Sequence, residues 1–231
     1  MKIGMIVAIA DEIAALLGKI GEPVRTEVSC GLEVSVYDMG GDELYVTRSG
    51  AGEIYAAAAT QHLITGYGVE IIVNFGICGG LTPEMSLCRI CVVGSVVHYD
   101  FDTSPVDGCE VGRYIDYPDV FIPADRKLLR LATALRPELT EVICASGDKF
   151  IADEKRKREL NALYGARICE MESAGILLTA NRCHVPALLV KAVSDSVSGG
   201  AEEFNKMACE SARACVELTL EIISKLQEVK V

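Results

Sequence analysis

Basic residues are the first shortage in this chain. Twenty-two lysines and arginines face 33 aspartates and glutamates, a formal net charge of −11 over 231 residues. No basic stripe gathers the few cations, so a nucleic-acid backbone would be repelled and that partner is excluded. No apolar run approaches the roughly 20 residues of a membrane span. Residues 1–9 meet Asp11 and Glu12 too soon to make a secretory leader, and the expected compartment is the cytoplasm. Cys88 and Cys91 form a CxxC with no second copy and no histidine at ligand spacing, which argues against a metal. The ten cysteines are scattered through apolar segments and read as buried, reduced thiols. Neither G-x-G-x-x-G nor G-x-x-x-x-G-K-[ST] occurs, so dinucleotide and nucleoside-triphosphate sites fail on spacing. Linkers, repeats and low-complexity tracts are missing too, and the expectation is one domain over residues 1–231.

What is present is a core-forming chain, 50% hydrophobic and long enough to bury about 70% of its unfolded surface. Short apolar runs alternate with helical periodicity, the pattern of an α/β fold. Residues 3–9 read as a buried strand, and Ile13, Leu16, Leu17 and Ile20 then recur at helical spacing. Residues 32–39 and 43–47 flank Gly40-Gly41 as a hairpin. Ser49-Gly50-Ala51-Gly52 opens an alanine-rich helix running to about Gly66. Further strands are expected at 69–75, 90–97, 142–145, 166–169 and 186–194, with helices at 123–135, 153–163, 172–183 and 201–229. The last helix carries the stripe Phe204, Ala208, Ser211, Cys215, Leu218, Ile222 and Leu226. Residues 103–123 have no period, and a loop that long in a compact fold usually serves function.

In open α/β sheets, ligands bind beyond the carboxyl ends of the strands. By the strand assignment, Glu12, Glu172 and Asp195 all sit there. Each alone could cap a helix start, which is worth about 0.3–1 kcal/mol through the dipole. Three on one rim, beside glycine-rich segments, point to a shared acidic pocket. Residues 49–52 and 76–80 are expected as turns whose amides cradle an anion, or as places where backbones approach closely.

Six motifs occur in order: Met1-Lys2-Ile3-Gly4 through Ala8-x-x-x-Glu12, Ser49-Gly50-x-Gly52, Asn74-x-Gly76-x-x-Gly79-Gly80, Ser146-Gly147-Asp148-x-Phe150-Ile151, Glu170-Met171-Glu172 and Ser194-Asp195. Together they resemble the 5′-methylthioadenosine/S-adenosylhomocysteine nucleosidases of the purine nucleoside phosphorylase superfamily. The resemblance covers nearly the whole chain. It implies a three-layer α/β/α fold around a twisted mixed sheet, usually in a homodimer. It also implies a purine nucleoside as the small-molecule partner, hydrolysed at its N-glycosidic bond without metal or organic cofactor. Glu12 would take a proton from the attacking water, and Glu172 would hold the ribose hydroxyls with Met171 against the sugar. Asp195, positioned through Ser194, would deliver a proton to N7 of the leaving base. Phe150 would stack on the purine, the backbone of Ile151 would meet its edge, and Cys78 and Gly79 would lie near it.

The chemistry suits those residue types. Adenine leaves badly as an anion, so a carboxylic acid kept neutral by burial is a natural donor. An acidic pocket stabilises the oxocarbenium-like transition state. Two departures from the family pattern stand near the expected water and ribose: Ile77 where serine is usual, and Lys191 where arginine is usual. In the family the stretch matching residues 103–118 helps form the pocket across the dimer interface; it lacks the usual Gly-Gln-x-Pro-Gly run here, leaving Tyr114 and Tyr117 as loop candidates there. A phosphorylase would need arginines for a phosphate dianion, and only Arg48 stands near a glycine-rich segment, so water is the expected nucleophile. Phosphorolysis and a non-catalytic nucleoside-binding domain are the alternatives.

Overall fold

The computed structural model describes residues 1–229. Strands β1 (Lys2–Val7), β5 (Ile71–Gly80) and β10 (Ala187–Asp195) form its parallel centre. Every residue of β5 and β10 is buried, as expected of parallel strands covered on both faces. β4 (Glu43–Arg48) lies parallel to β1, and β3 (Leu32–Asp38) and β2 (Arg25–Ser29) extend this side antiparallel. On the other side β6 (Ile90–His98) runs antiparallel to β10, followed by β8 (Thr140–Ser146) and β9 (Ile168–Glu170). β9 then returns to pair with Gly79 and Gly80 of β5, so five strands close into a ring. The two-residue β7 (Ile122–Pro123) pairs with β6.

Two helical layers cover this mixed sheet, giving the expected α/β/α architecture. α1 (Ala10–Ile20), α4 (Arg126–Leu135) and the long α7 (Ala201–Val229) pack as one group against β5, β6 and β10. α2 (Glu53–His62) and α6 (Ser173–Arg182) pack on each other and against β1, β6 and β10. α2 continues as a wider turn over Leu63–Tyr67 and ends at Gly68 in the left-handed conformation. α5 (Glu154–Tyr164) rests on β8, and the short α3 is Ser104–Asp107. Asp125 and Asp153 cap α4 and α5 by accepting backbone N–H groups of the first turn. In α7 the expected stripe from Ala208 to Leu226 is buried.

Several expectations are corrected. Residues 76–80 are not a turn but the second half of β5, paired with β10 from Gly76 to Gly79 and with β9 at Gly79 and Gly80. The glycines serve close approach: a Cβ at Gly76 would lie 2.7 Å from Glu12 Oε1, and one at Gly79 would lie 3.0 Å from Asp195 Oδ2. β2, with sequence RTEVS and largely exposed, was absent from the expected strands because it has no apolar pattern. All ten cysteines are free, but only Cys78, Cys91, Cys144, Cys169 and Cys215 are buried. Cys88 and Cys91 do not converge on a ligand site; Cys88 Sγ lies 3.6 Å from Ser211 Oγ and Cys91 Sγ donates to the Lys191 carbonyl.

Candidate active site

The carboxyl ends of β1, β5, β9 and β10 meet around one cavity. Its lining includes Glu12, Ile77, Cys78, Gly79, Phe150, Glu170, Met171, Glu172, Ser194 and Asp195. Ten of the twelve residues expected at the site therefore converge there from five separated segments. Ile151 is packed into the apolar cluster under β8 instead, and Lys191 lies behind the cavity wall. A larger cleft of about 1030 Å³ opens near Met1, Glu70 and Pro186, at the amino ends of the same strands. Its acids, Asp42, Glu70 and Asp125, accept from the Met1 amino group, the Lys2 N–H and the first turn of α4 respectively.

Glu12 sits in the first turn of α1 and is 3% exposed. Its Oε2 accepts the N–H of Ala8 at 2.7 Å and of Ile9 at 3.1 Å, and its Oε1 accepts the N–H of Ile77 at 2.9 Å. The Ile9 contact is a helix-capping interaction, so capping and pocket roles coincide in one side chain. Burial pushes the Glu12 carboxyl above its usual range, while Ile77 N–H and the Lys191 charge pull it back. A carboxylate made more basic by burial is a stronger proton acceptor. Ile77 serves this group with its backbone, so its apolar side chain removes nothing from Glu12.

Glu170 and Glu172 flank the end of β9. Glu170 faces inward, accepting from Ser146 Oγ at 2.6 Å, Ser173 Oγ at 2.8 Å and Lys191 Nζ at 2.9 Å. Burial opposes its charge, but Lys191 and these donors hold its carboxyl below the usual range. Burial would lower the Lys191 ammonium, yet Glu170 and Glu172 together push it up. Lys191 is thus the buried counter-ion of the acidic wall, not a surface cation. Glu172 accepts the Gly52 N–H at 2.9 Å through Oε1. Burial and the neighbouring Glu170 charge push it up to about 7.

Asp195 ends β10 and is 1% exposed. Ser194 Oγ donates to its Oδ1 at 3.0 Å, as the sequence implied. A partner absent from the sequence reading stands beside it: Lys157 Nζ lies 2.5 Å from Oδ2. Lys157 is fully buried and spends its remaining protons on the carbonyls of Ser196 at 2.6 Å and Gly199 at 3.1 Å. Sequence reasoning missed it inside the charged run 153–159. Its spacing to buried Leu160 and to Tyr164, which packs on the same cluster, was the available sign of an inward face. Phe204 was expected only as helix packing. It also lines the cavity, edge-on to Phe150 with ring centroids 5.3 Å apart. Tyr114 and Tyr117 do not line it; Tyr114 stacks on Phe101 at 4.1 Å and bonds His98. Arg48 is exposed at the end of β4 and is outside the cavity lining.

The sequence matches the phosphorylase superfamily over residues 2–224. It is 30% identical to the 5′-methylthioadenosine/S-adenosylhomocysteine nucleosidase of Shewanella halifaxensis, covering 98% of this chain and 100% of that protein. The solved nucleosidase of the same name from Campylobacter jejuni is 26% identical with a TM-score of 0.90, covering 98% of this chain and 100% of that one. A futalosine hydrolase from Helicobacter pylori shares the fold, with a TM-score of 0.93 at 24% identity over 98% of each chain. With the six motifs in order and their acids around one cavity, the chain belongs to the 5′-methylthioadenosine/S-adenosylhomocysteine nucleosidase family of the phosphorylase superfamily.

Proposed function

We propose that this chain hydrolyses the N-glycosidic bond of an adenine nucleoside bearing a 5′ methylthio or homocysteinylthio group, releasing adenine and the 5′-substituted ribose. The observation that carries this reading is the set of three differently held carboxyls on one cavity: Glu12 on three backbone N–H groups, Glu172 on Gly52, and Asp195 on Lys157 and Ser194.

Cleavage of the bond from C1′ to the base sends its electron pair into the purine, and C1′ gains oxocarbenium character. Glu12, Glu170 and Glu172 stabilise that charge. Glu172 accepts the ribose hydroxyls through the oxygen that Gly52 leaves free. Water adds to C1′ and gives a proton to Glu12. Asp195 relays to N7 a proton drawn from the Lys157 ammonium, which stands 2.5 Å from its Oδ2, so the ion pair becomes a carboxylate beside a neutral amine. Glu12 then releases its proton to solvent and Lys157 recovers one, which closes the balance. Phe150 and Phe204 supply apolar walls for the base, and Met171 one for the sugar.

Water is favoured over phosphate by the cavity's charge. Among the described lining residues no arginine occurs, and both nearby lysines are already paired with Glu170 and Asp195. A phosphate dianion would meet carboxylates. Exposed apolar side chains at Ile54, Tyr55, Val106 and Ile115 support a homodimer. The ten free cysteines support a reducing, cytoplasmic setting, and the proposed release of a methylthio-substituted ribose supports methionine salvage as the metabolic role. One continuous sheet from residue 2 to residue 195 supports treating residues 1–231 as a single domain.

Glu12→Gln and Asp195→Asn test the assignment. Each is expected to lower kcat by at least about 10²-fold while the thermal transition stays cooperative. Wild-type turnover in either variant would remove that residue from the mechanism.

A further inference from the structure

Glu53, the first residue of α2, is a buried carboxyl for which the mechanism above has no use. It is 6% exposed. Its Oε1 contacts Ser146 Oγ, and its Oε2 accepts the Gly175 N–H. Ser146 Oγ also contacts Glu170 Oε1 at 2.6 Å and the Ala174 N–H at 3.2 Å.

Proton counting decides the state of this cluster. A serine hydroxyl has one hydrogen and two lone pairs. The Ala174 N–H can only donate and takes one lone pair. The single hydroxyl hydrogen can serve one carboxylate, so the other must bring a hydrogen of its own. Glu170 is the ionised member, because Lys191 Nζ, the Ser173 N–H and hydroxyl, and the Glu172 N–H all donate to its Oε2. Glu53 has no cation within salt-bridge distance among the described residues.

We propose that Glu53 is a neutral carboxylic acid that donates to Ser146, and that this acid–serine–carboxylate chain is the positioning device for Glu172. The connection is short. Glu170 accepts the Glu172 N–H, and Gly52, the residue before Glu53, donates to the Glu172 side chain. Glu53 also fixes the start of α2 to α6 through Gly175, and its own N–H binds Asp148 Oδ1 at 2.8 Å. Ionised Glu53 would face the Glu170 and Glu172 charges, with Asp148 on its N–H; Lys191 is already paired with Glu170, Tyr114 brings no positive charge, and burial disfavours the charged form of His98, which bonds Tyr114. That repulsion would loosen both holds on Glu172. Burial first, and the Glu170 charge second, push the Glu53 carboxyl up to about 8, so the chain stays intact at neutral pH and fails on the alkaline side.

The kinetic arm rests on the hydrolase reading; the spectroscopic arm does not. In infrared difference spectra at pH 7, wild type minus Glu53→Gln is expected to show the carbonyl stretch of a protonated carboxylic acid. Glutamine reproduces the pattern, with its amide donating to Ser146 and its carbonyl accepting from Gly175, and it cannot titrate. Glu53→Gln is therefore expected to keep kcat within about threefold and to hold it above pH 8, where the wild type declines. Glu53→Ala is expected to lose at least tenfold in kcat at every pH. Absence of the acid band, or a glutamine variant as impaired as the alanine one, overturns the proposal. Should Glu53→Gln not fold, Ser146→Ala gives an independent reading: the band is expected to persist but change frequency as the acid loses its acceptor, and an unchanged frequency overturns the proposal.

Discussion

Lys157 is the residue on which the account depends most and which the sequence hid best. Its ammonium is fully buried beside Asp195, and desolvation of both ions is repaid only while both are present. Lys157→Met is therefore expected to destabilise the fold by about 3–5 kcal/mol, read by urea denaturation. Adding Asp195→Asn to it is expected to recover much of that loss, since no unpaired charge then remains. An additive double variant would mean that the two groups do not interact. At Glu172 the consequence is kinetic. Its carboxyl is pushed up to about 7 by burial and Glu170, and only the ionised form accepts two ribose hydroxyls. The acid limb of kcat/KM is expected near that value, and a limb unchanged in Glu172→Gln would assign it elsewhere. Lys157 was illegible because six of its neighbours in 153–159 are charged, and solvated charge runs are the ordinary case. Glu12, Glu172 and Asp195 were legible because strand ends are where such acids act.

Among the elements, β5 shows how a correct motif was given the wrong shape. The alternation of strands and helices was plain in the sequence, and most boundaries fall within two or three residues of expectation. Gly76-Ile77-Cys78-Gly79-Gly80 was read as a turn because glycines usually punctuate strands. Here they continue one, since carboxylates from α1 and β10 press on the positions where side chains would stand. Gly76→Ala is expected to displace Glu12 and to lower kcat by about 10²-fold, with Gly18→Ala, where no atom lies within 4 Å of the added carbon, as a neutral control. Equal activity in both variants would mean that Glu12 has room to move. The edge strand β2 stayed hidden for a different reason: tertiary pairing with β3 makes it a strand, while its exposed, polar sequence carries no period.

At the scale of the whole molecule, the acids under the cavity couple the fold to pH in two directions. Glu53 and Glu172 titrate higher in the fold, at about 8 and about 7, than the ordinary 4.5. Between 4.5 and those values the unfolded chain has released protons that the folded chain keeps, so each group lowers stability as pH rises through that window. Glu170 is shifted down, and its contribution is lost only as pH falls below 4.5. Stability is therefore expected to decline from about pH 5 to pH 8, measured by urea midpoints, and a rise across that range would contradict the protonation states assigned to the cavity floor. The same balance of charge underlies the choice of nucleophile. The most direct test is release of adenine from 5′-methylthioadenosine in buffer with and without phosphate. The account predicts equal rates in both and free methylthioribose as the second product; release that requires phosphate and yields a ribose 1-phosphate would contradict it.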